Sequence, residues 1–215
     1  MNNPGLSRNE ALTSGLAGYV EAAVLSAAQA AFIKTVISQG KNIVVTGSGG
    51  ATGKTTFCNV LINEWSAQHP EGRMLVVEQV REITSTARNI HFQLEPQSMT
   101  AVEWRGIIEA YHPSAMTIGE LRGGIAVKGL LGFWKNESRA GFATIYAGDP
   151  GKALAYLGQM LAEEVGRSDP ALVVEAIDYV LHLEMVKPGK RVCREILTID
   201  NYDASAKAFK LVPAA

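Results

Sequence analysis

The sequence predicts an α/β fold in which a mostly parallel sheet, flanked by helices on both faces, ends in a carboxyl-terminal antiparallel hairpin. Three observations carry that prediction. Short apolar, β-branched runs alternate with segments of helical spacing, the pattern of parallel strands joined by covering helices. The first such run ends in a glycine-rich turn at the mouth of a helix. Near the carboxyl end, two long apolar runs flank Lys187-Pro188-Gly189-Lys190, where Pro then Gly suits the central pair of a type II turn.

Taken in order, residues 1–25 open polar and Gly-containing and read as an amino-terminal segment ahead of one domain, 26–215. Ser26 with Gln29 three residues on forms a capping box, Phe32, Ile33, Val36 and Ile37 make one apolar stripe, and Gly40 stands where that helix would end. Asn42–Thr46 is a buried strand, and a helix follows from Lys54 to about Gln68. Met74–Glu78, Ala115–Gly119 and Phe142–Tyr146 are further strands. Between them Thr100 and Glu103 form a second capping box, with Trp104, Ile107, Ile108 and Tyr111 on one face. A helix is expected over about 152–165, burying Leu154, Leu157, Leu161 and Val165, and the hairpin strands run over 177–186 and 191–199.

Composition narrows the function classes. The chain has 215 residues, 47% of them hydrophobic, with 20 basic and 21 acidic residues and a net charge of −1. That balance suits a globular core and supplies no large positive field for a nucleic-acid coat. No run approaches the roughly 18 apolar residues of a membrane span, and the start, Met-Asn-Asn-Pro, lacks the features of a signal peptide, so a cytosolic setting is expected. Cys58 and Cys193 are too few for a disulfide framework or a zinc site and read as buried thiols. His69, His91, His112 and His182 are scattered without metal-ligand spacing. The basic run Lys187, Lys190, Arg191, Arg194 reads as a solvated hairpin, with a face toward acidic lipid as the alternative. Trp104 and Trp134 fall in helical apolar patterns and read as core.

The most informative stretch is Thr46-Gly-Ser-Gly-Gly-Ala-Thr-Gly-Lys-Thr-Thr56. A glycine-rich turn between a buried strand and a helix turns successive backbone N–H groups into one concavity at the positive end of the helix dipole, and polyphosphate is its natural occupant. Lys54 would reach the β- and γ-phosphates, and the Thr55 hydroxyl would be a magnesium ligand. The remaining cradle comprises Ser48, Gly49, Gly50, Ala51, Thr52, Gly53 and Thr56. Ser48 stands where the P-loop pattern has its first glycine, six residues before the lysine, a place serine can take if its φ is negative.

With that loop, the segments Gly18–Glu21, Ser26–Gln29, Lys41–Val45, Asn59–Glu64, Gly119-Glu-Leu-Arg-Gly123 and Arg191–Leu197 resemble, in order and spacing, the ATPases of type II and type IV secretion systems. Within that superfamily the likeness is to the conjugative-transfer ATPases of the TrbB type, and it runs from about Gly18 to Tyr202. The resemblance implies a RecA-like P-loop NTPase fold that uses ATP and magnesium. It implies a hexameric ring working with other secretion or conjugation ATPases and inner-membrane components, peripheral at the cytoplasmic face of the inner membrane. No sequence-specific nucleic-acid binding is expected.

Position by position, Lys54 and Thr55 match the phosphate and magnesium residues, Glu120 the acidic residue of the Walker B segment, and Glu78 the first acidic residue of the Asp box. The resemblance therefore makes Lys54, Glu78 and Glu120 the catalytic set, with Glu120 meeting magnesium through water and Arg122 steadying the acidic groups or phosphate. Glu82 of that box is retained, whereas Gln79 replaces an aspartate. Ala110-Tyr-His-Pro-Ser114 lacks two arginines and an acid of the pattern, and Tyr146 stands in the His box. The family's separate amino-terminal domain, which contributes arginines, is expected to lie outside this sequence, which reads either as an excised ATPase domain or as a natural short form. Two functions follow from this reading: a motor ATPase, weak when this chain acts alone, and a nucleotide-binding but catalytically silent paralogue. A third, a small-molecule P-loop kinase, is weakened by the 119–123 segment.

Overall fold

A computed structural model describes residues 6–85, 87–94, 100–137 and 140–215. The elements follow the chain as α1 (Arg8–Glu21), α2 (Ala27–Ser38), β1 (Asn42–Gly47), α3 (Lys54–Gln68), β2 (Met74–Glu78), β3 (Ile90–Leu94), α4 (Ala101–Tyr111), β4 (Ala115–Ile118), α5 (Gly124–Glu137), β5 (Gly141–Tyr146), α6 (Pro150–Val165), α7 (Pro170–Ala176), β6 (Tyr179–Lys187), β7 (Lys190–Asp203) and β8 (Ala208–Pro213). They build one eight-stranded sheet in the order β3-β2-β4-β5-β1-β6-β7-β8. Pairing is parallel from β3 through β6 and antiparallel beyond.

Successive strand residues face opposite sides, so each central strand feeds two cores. Ile43, Val45, Met74, Val76 and Phe142 pack under α1, α2 and α3, while Val44, Leu75, Val77, Met116 and Ala143 pack under α4, α5, α6 and α7. Burial on both faces is why these strands read as continuous apolar runs. Trp134 is buried and donates its indole N–H to the Met116 carbonyl at 3.1 Å, and Trp104 is buried as well. Both capping boxes form, at Ser26 and at Thr100.

The structure corrects the element reading in four places. Arg8–Glu21, read as part of a polar opening segment, is a helix with its own capping box, Ser7 with Glu10, and it buries Ala11, Leu16 and Tyr19. Gly15, at φ 58°, breaks the helix and with it the apolar stripe that would have revealed it. Residues 1–5 of that segment lie outside the described residues. Strand β3 and helix α7 were not expected, and Ile177, read as the first strand residue, caps α7. The hairpin is really a three-stranded meander, because β7 runs on to Asp203 and turns back as β8. Its first turn has Gly189 at φ 78°, as a type II turn requires.

Candidate functional site

Parallel strands present their carboxyl ends at one edge, and the expected site residues collect there. β1 ends at Gly47, β2 at Glu78, β4 just before Gly119 and Glu120, and β5 at Tyr146. The edge is pinned by strand-to-strand hydrogen bonds. Thr46 Oγ1 donates to the Ala147 carbonyl at 3.1 Å, the Gly119 N–H to Val77 at 3.0 Å, and the Leu121 N–H to Thr144 at 2.8 Å.

The loop from β1 to α3 wraps a short 3₁₀ turn, Gly50–Thr52. Its positive-φ positions are Gly49 (111°) and Gly53 (85°), not Ser48, so serine is tolerated where the pattern has glycine. A Cβ at Gly49 or Gly50 would meet nothing within 4 Å, so the space beside the loop is open there. Gly47 is constrained instead: a Cβ there would lie 2.5 Å from the Leu183 carbonyl.

Lys54, only 8% exposed, folds back over the loop. Its Nζ donates to the Gly49 carbonyl at 3.0 Å and the Gly47 carbonyl at 3.2 Å. It also lies 5.4 Å from the centroid of the Tyr146 ring, a cation–π approach. Burial pulls the ammonium below its ordinary pKa, and the charge of Glu120 opposes that pull. Thr55 and Thr56, half-buried, follow Lys54 in the first turn of α3.

Glu120 accepts from Arg122 Nη2 at 2.6 Å. Glu78 is buried, and its Oε1 accepts the backbone N–H groups of Ile83 (2.9 Å) and Glu82 (3.1 Å). It thus organises the segment after β2, whose Thr84 N–H is held in turn by Asn59 Oδ1 at 2.9 Å. Burial raises the Glu78 pKa, and those N–H groups pull it the other way.

Two participants escaped the sequence reading. Gly119 lets Glu78 lie against β4, since a Cβ there would sit 2.8 Å from Glu78 Cγ. Arg191 belongs to the basic run read as a solvated hairpin, yet it is half-buried and its Nε donates to the Ala51 carbonyl in the loop at 2.8 Å. The β6–β7 turn therefore packs against the phosphate-loop candidate, because β6 pairs directly with β1. Cys58 and Cys193 are buried thiols, as expected, with pKa pushed up by burial, Cys193 to about 12. Among the described residues no group of three or more His, Cys, Asp or Glu is placed to hold a metal ion alone, and no helix is long and apolar enough to cross a membrane.

The fold is that of P-loop secretion ATPases. The VirB11 ATPase of the Brucella suis type IV secretion system, solved with sulphate, superposes with a TM-score of 0.69 at 21% identity, covering 92% of this chain and 57% of that one. The Legionella pneumophila ATPase DotB superposes at 0.58 (18% identity; 82% and 50% covered), and the pilus retraction motor PilT at 0.59 (12%; 86% and 50%). No protein-family model matches the chain. The chain belongs to the secretion ATPase family, on its sequence relatives and structural neighbours taken together. It is 30% identical over 184 residues to the probable conjugal transfer protein TrbB of Sinorhizobium fredii and over 187 residues to the conjugal transfer protein TrbB of Rhizobium radiobacter. Each match takes in 86% of this chain and 56% of the relative, so the chain spans about half the length of the curated relatives it matches.

Proposed function

We propose that this chain binds ATP with magnesium at the 47–56 loop and hydrolyses it as a subunit of a conjugal-transfer or type IV secretion motor. The observation that carries the reading is Lys54: a buried ammonium held by loop carbonyls at 3.0 and 3.2 Å, beside Gly49 and Gly50, where the space is open. A cation so placed is compensated best by an anion bound against the loop, at the amino terminus of α3.

Thr55, through its hydroxyl, and Glu120, through a water, would hold the magnesium ion, which supplies charge neutralisation for the triphosphate. Lys54 binds the β- and γ-phosphates and carries the charge that develops as water attacks the γ-phosphorus and the bond to the β-phosphate oxygen breaks. Glu120, steadied by Arg122, orders the attacking water, and Glu78 holds the 79–83 segment against the same edge. We further propose that the chain works as a hexameric ring peripheral to the inner membrane, with other conjugation components.

The experiment is phosphate release from ATP and magnesium across a series of protein concentrations, with Lys54→Ala as the blank. Release that climbs more steeply than protein concentration and vanishes in the variant supports an assembling motor. Release no greater than the blank overturns the motor reading. A second reading, a nucleotide binder without turnover, is favoured by two observations: Tyr146 rather than histidine faces Lys54, and the uncharged Gln79 follows Glu78. Under it, Gln79→Asp with Tyr146→His raises turnover; a competent motor is little changed by the pair.

A further inference from the structure

The segment that leaves β2, residues 79–84, is exposed except at Ile83, which joins the core under α1, α2 and α3. It carries Glu82. The hydrogen bond from Glu120 raises the Arg122 pKa, and the charge of Glu82 adds to that rise. Both carboxylates therefore act on one guanidinium, and the placing of one against the other depends on where this segment lies.

Three side chains from three elements hold the segment by its backbone. Glu78 of β2 accepts the Glu82 and Ile83 N–H groups, Arg8 of α1 donates to the Glu82 carbonyl, and Asn59 of α3 accepts the Thr84 N–H at 2.9 Å. Asn59 is fully buried, at 0% exposure, between the equally buried Phe57 and Cys58 on one side and Val60, Leu61 and Ile62 on the other. An amide in such a place costs both desolvation and helix propensity, and an apolar residue would serve the core better. What the amide supplies is a link. Asn59 stands one turn after Thr55 on the same helix face, with Nδ2 3.5 Å from the Thr55 carbonyl and Oδ1 on Thr84. Thr55 follows Lys54 at the mouth of α3. One side chain thus spans from the first turn of the loop helix to the segment that carries Glu82.

We propose that Asn59 is a positioning residue, which sets the 79–84 segment, and Glu82 with it, at a fixed place relative to Lys54 and Thr55. The carboxylates and the phosphate grip are then in register when water attacks. This rests on the reading of the loop as a site of ATP hydrolysis and adds what aligns the two halves of that site. Asn59 itself touches no reacting atom. Binding should survive its loss and the rate should not, because a misplacement of about 1 Å costs up to about a hundredfold in rate.

The test pairs steady-state phosphate release from ATP and magnesium with calorimetric titration by ADP and magnesium, on the full chain. The variants are Asn59→Ala, Thr84→Pro and the two together. Alanine is the best helix former and leaves the holds by Glu78 and Arg8 in place. Proline at 84, an exposed position, deletes the N–H that Asn59 accepts and leaves α3 unaltered. Each single variant is expected to bind ADP with unchanged stoichiometry and a Kd within about threefold of the wild type, to keep KM for ATP within about threefold, and to lose at least about tenfold in kcat. The double variant should fall within about twofold of the slower single variant, since both changes sever one link. A smaller loss of kcat in either single variant overturns the proposal, as do losses that multiply in the double variant. A fall in turnover matched by an equal fall in ADP-binding sites marks a structural role alone and overturns it as well. Should Asn59→Ala not fold, Thr84→Pro carries the test. A wild type that hydrolyses ATP alongside equally fast variants removes the proposal and leaves the motor reading standing. A wild type that binds ADP and releases no phosphate removes both.

Discussion

Replacing Glu78 by alanine and by glutamine separates what its carboxylate does for the fold from what its charge does for chemistry. Oε1 accepts two backbone N–H groups, from Ile83 at 2.9 Å and Glu82 at 3.1 Å, and Ile83 is buried. A hydrogen bond to a charged acceptor contributes about 1.5–3 kcal/mol, and a buried donor left without a partner costs about 1–3 kcal/mol. Water can reach the Glu82 N–H but not that of Ile83, so Glu78→Ala should lose about 3 kcal/mol, or about 6–12 °C in Tm for a chain of this length. Glutamine keeps an acceptor oxygen in place and should lose about 1 kcal/mol or less. Because burial raises the Glu78 pKa, the charged form is disfavoured in the fold, and that penalty is absent below the ordinary value of 4.5 and complete above the raised one. The glutamine variant should therefore compare best with the wild type at neutral pH and worst in acid. Urea denaturation followed by circular dichroism, at neutral and acidic pH, reads both effects. Equal losses from alanine and glutamine, or none from alanine, would refute the tethering argument. Phosphate release by the folded glutamine variant then reports the chemical role alone.

Other substitutions test the packing and the loop. His182 is buried, its Nδ1 has no hydrogen-bond partner among the described residues, and burial lowers its pKa against the pull of Glu195, Glu184 and Asp149. Stability should be full above the ordinary 6.5 and fall as pH drops through that value toward the lowered one; a His182→Gln variant whose denaturation midpoint keeps the same slope over that window would disprove the assignment. Gly141→Ala would place a Cβ 2.0 Å from the Met116 carbonyl and 2.2 Å from Trp134 Nε1, and should cost about 3 kcal/mol or abolish soluble expression. Gly132→Ala, in α5 with nothing within 4 Å, should instead stabilise by about 0.5–1 kcal/mol, so similar denaturation curves for the two would undermine the packing account. In the loop, Gly49→Ala meets φ 111° and should weaken pyrophosphate binding about tenfold or more, whereas Ser48→Gly should leave it within about twofold; titration calorimetry checks the pair.

How much of this was legible in the sequence depends on the distance over which each residue acts. The central strands announced themselves because both their faces are buried, and the two capping boxes because four consecutive residues contain the whole device. The Gly47–Thr56 loop was legible for the same reason: strand, turn and helix mouth are contiguous, and even the serine at 48 was readable as harmless given a negative φ. Elements whose cause is not contiguous escaped. Gly15 hides α1 by dividing its stripe, and β8 became a strand through pairing with β7, which a polar-rich stretch does not advertise. The site was divided likewise. Glu78 and Glu120 end apolar runs and Lys54 opens the helix after one, all legible in the pattern, but the same pattern was silent on Arg191, which reaches Ala51 across 140 positions of sequence. A basic run on a turn looks solvated until the topology sets that turn beside the first strand. The parallel pairing of β6 with β1 does so, and it sets the turn beside the loop, where Arg191 reaches the Ala51 carbonyl.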